Sequence, residues 1–240
     1  MDNEFALMYE EENVLYRAWR SPIKGFCATY FLERVGDEAN SPEKIVVKWP
    51  NVQLYRDYWD IVKVAMEVRK RFDGTDIDGS LAQFLLCDVS NGYIVSDYSE
   101  GLSLAEIMKG DAKRNREVCE IVDFCRTLVV RALWIVTEMN AQGVIHRDFK
   151  PDNLICKNLF GDDLVLIDLD FMALSHSKRS WNCDGTSKYQ SLGVIEGQNF
   201  AAGRDMYALA MTCLEMLESF LRLRCCRMTM RSFLHISWQI

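Results

Sequence analysis

The hydrophobic positions of this chain read as short strands in its first half and mainly as helices in its second. Phe26 to Val35 is aromatic and β-branched, which predicts a strand. Gly36 to Glu43 gathers Gly, Asp, Asn, Ser and Pro, which predicts a loop. Ile45-Val46-Val47-Lys48 predicts a compact strand closed by Trp49-Pro50. From Leu54 to Phe72 the spacing turns helical, with Ile61, Val64, Val68 and Phe72 on one face. Phe84 to Cys87 and Tyr93 to Val95 predict a hairpin around Ser90-Asn91-Gly92.

Past Gly101, Leu102 to Met108 predicts a short helix. Val118 to Ala141 predicts a long amphipathic helix that Gly143 ends. Leu154-Ile155-Cys156 and Leu164 to Ile167 predict a hairpin around Gly161-Asp162, and Asp205 to Leu221 a strongly apolar helix. A sheet region with one helix, followed by a helical region, predicts an α+β fold. Residues 1–97 would hold five strands and one helix, 98–101 the connection, and 102–221 the helical region. Residues 222–240 stand apart as a basic tail with four arginines and no acid.

The chain has 240 residues, of which 49% are apolar, so a real core is expected. A net charge of -7 argues against nucleic acid as a partner. The nine cysteines form no C-x-x-C pair, and three histidines are too few to complete a zinc site with them. They predict reduced core thiols of an intracellular protein, cytoplasmic or nuclear. The acidic start Met1-Asp2-Asn3-Glu4 is unlike a secretory signal. The best apolar run, Leu128 to Val136, is interrupted by Arg131 and falls short of the roughly 20 residues a membrane span needs.

The densest chemistry lies in Val144-Ile145-His146-Arg147-Asp148-Phe149-Lys150-Pro151-Asp152-Asn153-Leu154. An acid, a cation and an amide stand at fixed offsets. A second acid, Asp168, follows the apolar run Leu164 to Ile167. This segment resembles the catalytic loop of protein kinases, H-R-D-x-K-P-x-N, with every defining letter present. The resemblance implies a two-lobed fold and ATP- and Mg²⁺-dependent phosphoryl transfer to a protein substrate. Such transfer needs positioning and charge neutralisation more than covalent help. Asp148 would orient the acceptor hydroxyl and accept its proton. Lys150 would sit near the γ-phosphate, as in serine/threonine kinases. Asn153 and Asp168 would hold metal, an amide oxygen and a carboxylate being suitable hard ligands.

Other segments extend the likeness. Ile45 to Lys48 resembles V-A-I-K, which implies that Lys48 contacts the α- and β-phosphates and that Glu67, on the predicted helix, is its ion-pair partner. Tyr93 to Gly101 resembles the hinge, so adenine would bond the backbone near Asp97 and Ser99, with Ser96 as a small gatekeeper. Thr186 matches the threonine that bonds the catalytic Asp and Lys, and Asp205 the acid that anchors the catalytic-loop backbone. His146 is implied to brace the loop. Arg147 reads either as the partner of an activation-segment phosphate, for which Ser175, Ser177 and Ser180 are candidates, or as a surface arginine.

The chain also departs from the pattern. D-F-G is replaced by Asp168-Leu169-Asp170, with Asp170 an accessory acid. A rival register, Asp170-Phe171-Met172, would leave Asp168 buried in the strand. The glycine-rich loop keeps only Gly25, beside Lys24 and Phe26. A-P-E becomes Ser191-Leu192-Gly193, so the glutamate of the usual buried ion pair is missing. These departures keep open a weak or inactive pseudokinase that acts as a scaffold, and, behind it, a small-molecule kinase.

Overall fold

The alternation of Ile45 and Val47 with Val46 and Lys48 becomes a strand with one face in a core and the other half-buried. The computed structural model describes residues 4–9, 12–23, 27–36, 43–50, 55–88, 93–110, 117–169, 172–175, 185–195 and 203–225. Lys24, Gly25 and Phe26, the turn Ser90-Asn91-Gly92, Asp170 and Phe171, Ser177 and Ser180, and the tail from residue 226 lie outside them. The chain divides into two compact units, Met1–Ser99 and Glu100–Ile240.

In the first unit the strands are β1 (Glu4–Tyr9), β2 (Glu12–Ile23), β3 (Cys27–Arg34), β4 (Lys44–Pro50), β5 (Phe84–Asp88) and β6 (Tyr93–Asp97). They form one antiparallel sheet in the order β1-β2-β3-β4-β6-β5. That is six strands among the described residues, one more than the sequence pattern predicts. Neither β1 nor β2 falls on a segment whose pattern is read above as a strand; in β1, Phe5-Ala6-Leu7-Met8 runs apolar without alternation. One sheet face buries Tyr16, Leu32, Ile45, Val47, Tyr93 and Val95. In register on the other face are Thr29 and Phe31 of β3, Lys48 and Val46 of β4, and Ile94 and Ser96 of β6. Helix α1 (Tyr55–Phe72) packs against β5, buries Val68 and Phe72, and ends in Arg69, Lys70 and Arg71, which suit the negative end of its dipole.

In the second unit, Ser103 fixes the start of α2 (Leu104–Lys109). Its hydroxyl accepts the Glu106 amide and Glu106 returns the bond, a capping box. This is why Leu102–Ser103 is a strand (β7) and not the first turn of the helix. Helix α3 (Val118–Ala141) buries Phe124, Leu128, Ala132, Ile135, Val136 and Met139 along one stripe. Gly143, at φ 69°, ends it in the left-handed conformation. Then come β8 (Val144–Ile145), β9 (Leu154–Cys156), β10 (Leu164–Leu166), β11 (Ala173–Leu174), α4 (Leu192–Ile195) and α5 (Gly203–Cys225). β9 lies between β10 and β7, and β8 pairs with β11. Helix α5 buries Leu209, Thr212, Met216 and Phe220, and Phe220 meets Phe124 of α3 edge to face at 6.1 Å. Among the described residues no helix is long and apolar enough to cross a membrane.

Candidate active site

The loop between β8 and β9 is apolar at both ends and polar in its middle, and three backbone devices shape it. Asp205, on the first turn of α5, is 1% exposed; its two carboxylate oxygens accept the amides of His146 at 2.6 Å and Arg147 at 2.8 Å. Burial pushes the Asp205 carboxyl above its ordinary range, opposed by these two amide donors. His146 is fully buried. Its Nδ1 accepts the Asp148 amide at 3.3 Å and its Nε2 meets the Ile167 carbonyl at 3.1 Å, which together require the Nε2–H tautomer. Arg147 adopts φ 73°, a left-handed backbone that is costly away from glycine. It is 9% exposed, so the surface-arginine alternative does not hold.

With the backbone fixed, the side chains converge. The Asp148 carboxylate is 3% exposed. One oxygen accepts the Thr186 amide at 2.7 Å and the Thr186 hydroxyl at 2.8 Å. The other accepts Lys150 Nζ at 2.5 Å and Asn153 Nδ2 at 3.3 Å. Lys150 Nζ also reaches the Thr186 hydroxyl at 3.0 Å, so Thr186 bridges acid and cation. Asn153 donates to the Asp148 carbonyl at 2.8 Å as well. Its amide nitrogen is thereby committed, which leaves its oxygen for a cation.

The β9–β10 hairpin delivers the second acid. Leu154 pairs with Leu166, and the Ile167 amide bonds the Asn153 carbonyl at 2.9 Å. Asp168 follows directly, half-buried and at φ 62°. Arg147 and Asp168 are thus the two non-glycine residues with positive φ among the described residues, and both belong to the candidate motifs. Leu169 is buried beyond Asp168. An amide oxygen and a carboxylate, as Asn153 and Asp168 offer, are hard donors of the kind a divalent cation such as Mg²⁺ takes.

The activation-segment match closes against this loop. Gly185 lies at φ 101°, and a Cβ there would fall 2.4 Å from the Arg147 carbonyl oxygen. Only glycine brings Thr186 so close to Asp148. The spacing of the sequence shows the Gly-Thr pair but not this contact. Sequence reasoning also missed Glu215 of α5, which accepts the Tyr189 hydroxyl and, at 2.7 Å, Lys188 Nζ. As one acid among many on a helix, it carries no signal in the sequence.

The remaining residues predicted for the site belong to the first unit. Lys48 is half-buried at its place in β4. Glu67 has Arg71 as its partner at 3.1 Å, one helical turn on. The Asp97 carboxylate accepts the Gln83 amide at 2.6 Å, and its own amide bonds the Gln83 carbonyl. Ser99 is buried, and its hydroxyl has no hydrogen-bond partner among the described residues.

One stability consequence follows from Asp205. Asp205→Ala leaves two buried amides without an acceptor, at about 1–3 kcal/mol each. The urea midpoint should fall accordingly with an unchanged slope. An unaltered midpoint would show that the two bonds do not hold the loop.

Comparison with known proteins gives a consistent picture. A family model described as protein kinase domain matches residues 83–230. MAP kinase kinase MKK1/SSP32 of Saccharomyces cerevisiae is 28% identical over 127 residues, covering 52% of this chain and 24% of that protein. Serine/threonine-protein kinase ste20 of Aspergillus oryzae is 26% identical over 129 residues, 52% of this chain and 14% of its own length. Calcium-dependent protein kinase 4 of Plasmodium berghei is 33% identical over 109 residues, 44% of this chain and 19% of that one. The chain therefore spans a quarter or less of the length of these curated relatives. The crystal structure of the BubR1 kinase domain matches in fold with a TM-score of 0.64, over 88% of this chain and 63% of that chain, at 20% identity.

Proposed function

The chain belongs to the protein kinase domain family, and from that premise we propose that it transfers the γ-phosphoryl group of ATP to serine or threonine hydroxyls of a protein substrate. The observation that carries this reading is the closed cluster of Asp148, Lys150, Asn153 and Thr186.

In this reading Asp148 aligns the acceptor hydroxyl and takes its proton, its carboxylate oriented by Thr186 on one oxygen and Lys150 on the other. Lys150 turns towards the transferring phosphoryl group when nucleotide is present. Asn153 and Asp168 hold Mg²⁺, which neutralises phosphate charge when bound. Lys48 contacts the non-transferred phosphates, and backbone near Asp97 and Ser99 meets adenine. For Glu67 to serve Lys48 it exchanges Arg71, and that pair is exposed enough to be worth only about 0.3–0.5 kcal/mol. The preference for serine and threonine rests on Lys150, two residues after the acid, and on its link to Thr186.

Binding is tested by thermal melting of the 240-residue chain with ATP and Mg²⁺, together and apart. A ligand at a hundred times its dissociation constant stabilises by about 2.7 kcal/mol, so the melting point should rise with ATP plus Mg²⁺ and rise less with either alone. An unmoved melting point at millimolar ATP and Mg²⁺ would overturn the nucleotide site.

A further inference from the structure

The chemistry above makes no use of the basic tail, nor of the tip of the β9–β10 hairpin. Leu159 and Phe160 stand at that tip, 48% and 76% exposed, and Phe160 is the most exposed large apolar residue among the described residues. Both are held out in a fixed geometry. The Asn158 side-chain oxygen accepts the Phe160 amide at 2.9 Å and the Gly161 amide at 3.1 Å, and its Nδ2 donates to Asp162 at 2.7 Å. Gly161 is buried at φ 83°, where a Cβ would fall 3.2 Å from the Phe124 ring and from the Phe124 carbonyl oxygen. The tip is thus seated on α3 while two adjacent apolar side chains stay in solvent, a surface that gains by being covered.

The course of α5 brings the tail to this surface. Asp205, at its start, bonds the backbone of His146 and Arg147, just past the end of α3. Phe220, near its end, meets Phe124 near the start of α3. The two helices therefore run antiparallel, and α5 ends beside the first turn of α3. Phe124 is the common neighbour of Phe220 and of Gly161 at the hairpin tip. From Phe220 to Cys225 the helix advances only about 8 Å. Residues 226–240, when extended, span up to roughly 50 Å, ample to reach a hairpin that touches the same phenylalanine.

The two segments are chemically complementary. In the tail, Leu234, Ile236, Trp238 and Ile240 alternate with His235, Ser237 and Gln239, so an extended segment gathers four large apolar side chains on one side. Arg227 and Arg231 precede them, and no acid follows Glu218. At the hairpin, Leu159-Phe160 is followed by the exposed acids Asp162 and Asp163. Exposed Glu117 and Glu120 stand seven and four positions before Phe124, on the same side of α3. The cations close by among the described residues are Lys157 and Arg126, and Arg126 is paired with Asp123 at 3.1 Å. We propose that residues 226–240 dock on the β9–β10 tip of their own chain, their apolar side covering Leu159 and Phe160 and their arginines facing the acids beside it. Exposed ion pairs are weak, so the charges set the direction of approach and the apolar contact holds the tail. The phosphoryl-transfer reading is not needed for this.

The test is photo-crosslinking on the full chain, with a benzoylphenylalanine probe in place of Phe160, a position exposed enough to accept it. Mass spectrometry of the monomer should find the probe joined to residues 226–240. Reversing both charges, Arg227→Glu with Arg231→Glu, should lower the yield of that product by about threefold or more, the scale of two exposed ion pairs. A monomer without any crosslink into residues 226–240 would overturn the proposal. Crosslinks into the tail found only in a dimer would overturn it equally, because a second copy would then cover the tip. A yield unchanged by the charge reversal would overturn the part given to the arginines. Should the probe prevent folding, hydrogen exchange on chains without it decides. The charge-reversed chain should exchange the amides of residues 157–163 about threefold or more faster than wild type, and equal exchange would overturn the docking.

Discussion

Asp148→Asn removes phosphoryl transfer and leaves nucleotide binding in place. The substitution changes no volume, but it removes the charge and the basicity on which proton acceptance depends. It also upsets a set of bonds that only a carboxylate can satisfy. One oxygen takes two donors from Thr186 and the other takes Lys150 and Asn153. An asparagine turns one of these acceptors into a donor, which then faces Thr186 or Lys150 without a partner. General-base assistance contributes about 10²–10⁴-fold, and lost alignment adds to it, so the rate should fall by at least that range. ATP and Mg²⁺ should still raise the melting point of the variant, because the proposed metal ligands are Asn153 and Asp168. A variant that kept its transfer rate would remove Asp148 from the role of base.

Gly185→Ala should be among the most damaging changes of a single methyl group in the second unit, alongside Gly101→Ala. A left-handed backbone costs an alanine roughly 1–2 kcal/mol. The methyl must also come to terms with the Arg147 carbonyl, 2.4 Å away and part of the loop that Asp205 anchors. Overpacking of this kind adds about 1–3 kcal/mol. At about 2–4 °C per kcal/mol, the melting point should drop by roughly 4–20 °C. Whatever strain the fold relieves, it relieves by moving Thr186 off Asp148, so transfer should fall even at temperatures where the variant is folded. A melting point and rate both equal to those of wild type would mean that the close approach of Gly185 is not required.

Much of this architecture was legible because the residues that carry it are local in sequence. Helix α3 spans Val118–Ala141, the bounds its periodicity predicts, because an apolar stripe runs its whole length and Gly143 stops it. The catalytic loop was legible because its letters sit within eleven consecutive residues. The limits were physical as well. The stretch Glu4–Tyr9 runs apolar without alternation, so its strand was not visible. The start of α2 depended on which residue of Leu102–Ser103–Leu104 would act as cap, and the Glu106 side chain decides that. Glu215 and the contact of Gly185 with Arg147 depend on elements 26 and 38 residues apart, beyond the reach of any local pattern.

The central claim is that the cluster around Asp148 performs phosphoryl transfer to serine or threonine. The most direct measurement is incorporation of radiolabelled γ-phosphate into a mixed protein substrate by the wild-type chain and by Asp148→Asn, followed by phosphoamino-acid analysis. The account predicts Mg²⁺-dependent labelling of serine or threonine by wild type and a loss of at least about 10²-fold in the variant. Wild-type labelling no greater than that of Asp148→Asn, in a chain that still binds ATP, would contradict the claim and leave a nucleotide-binding scaffold in its place.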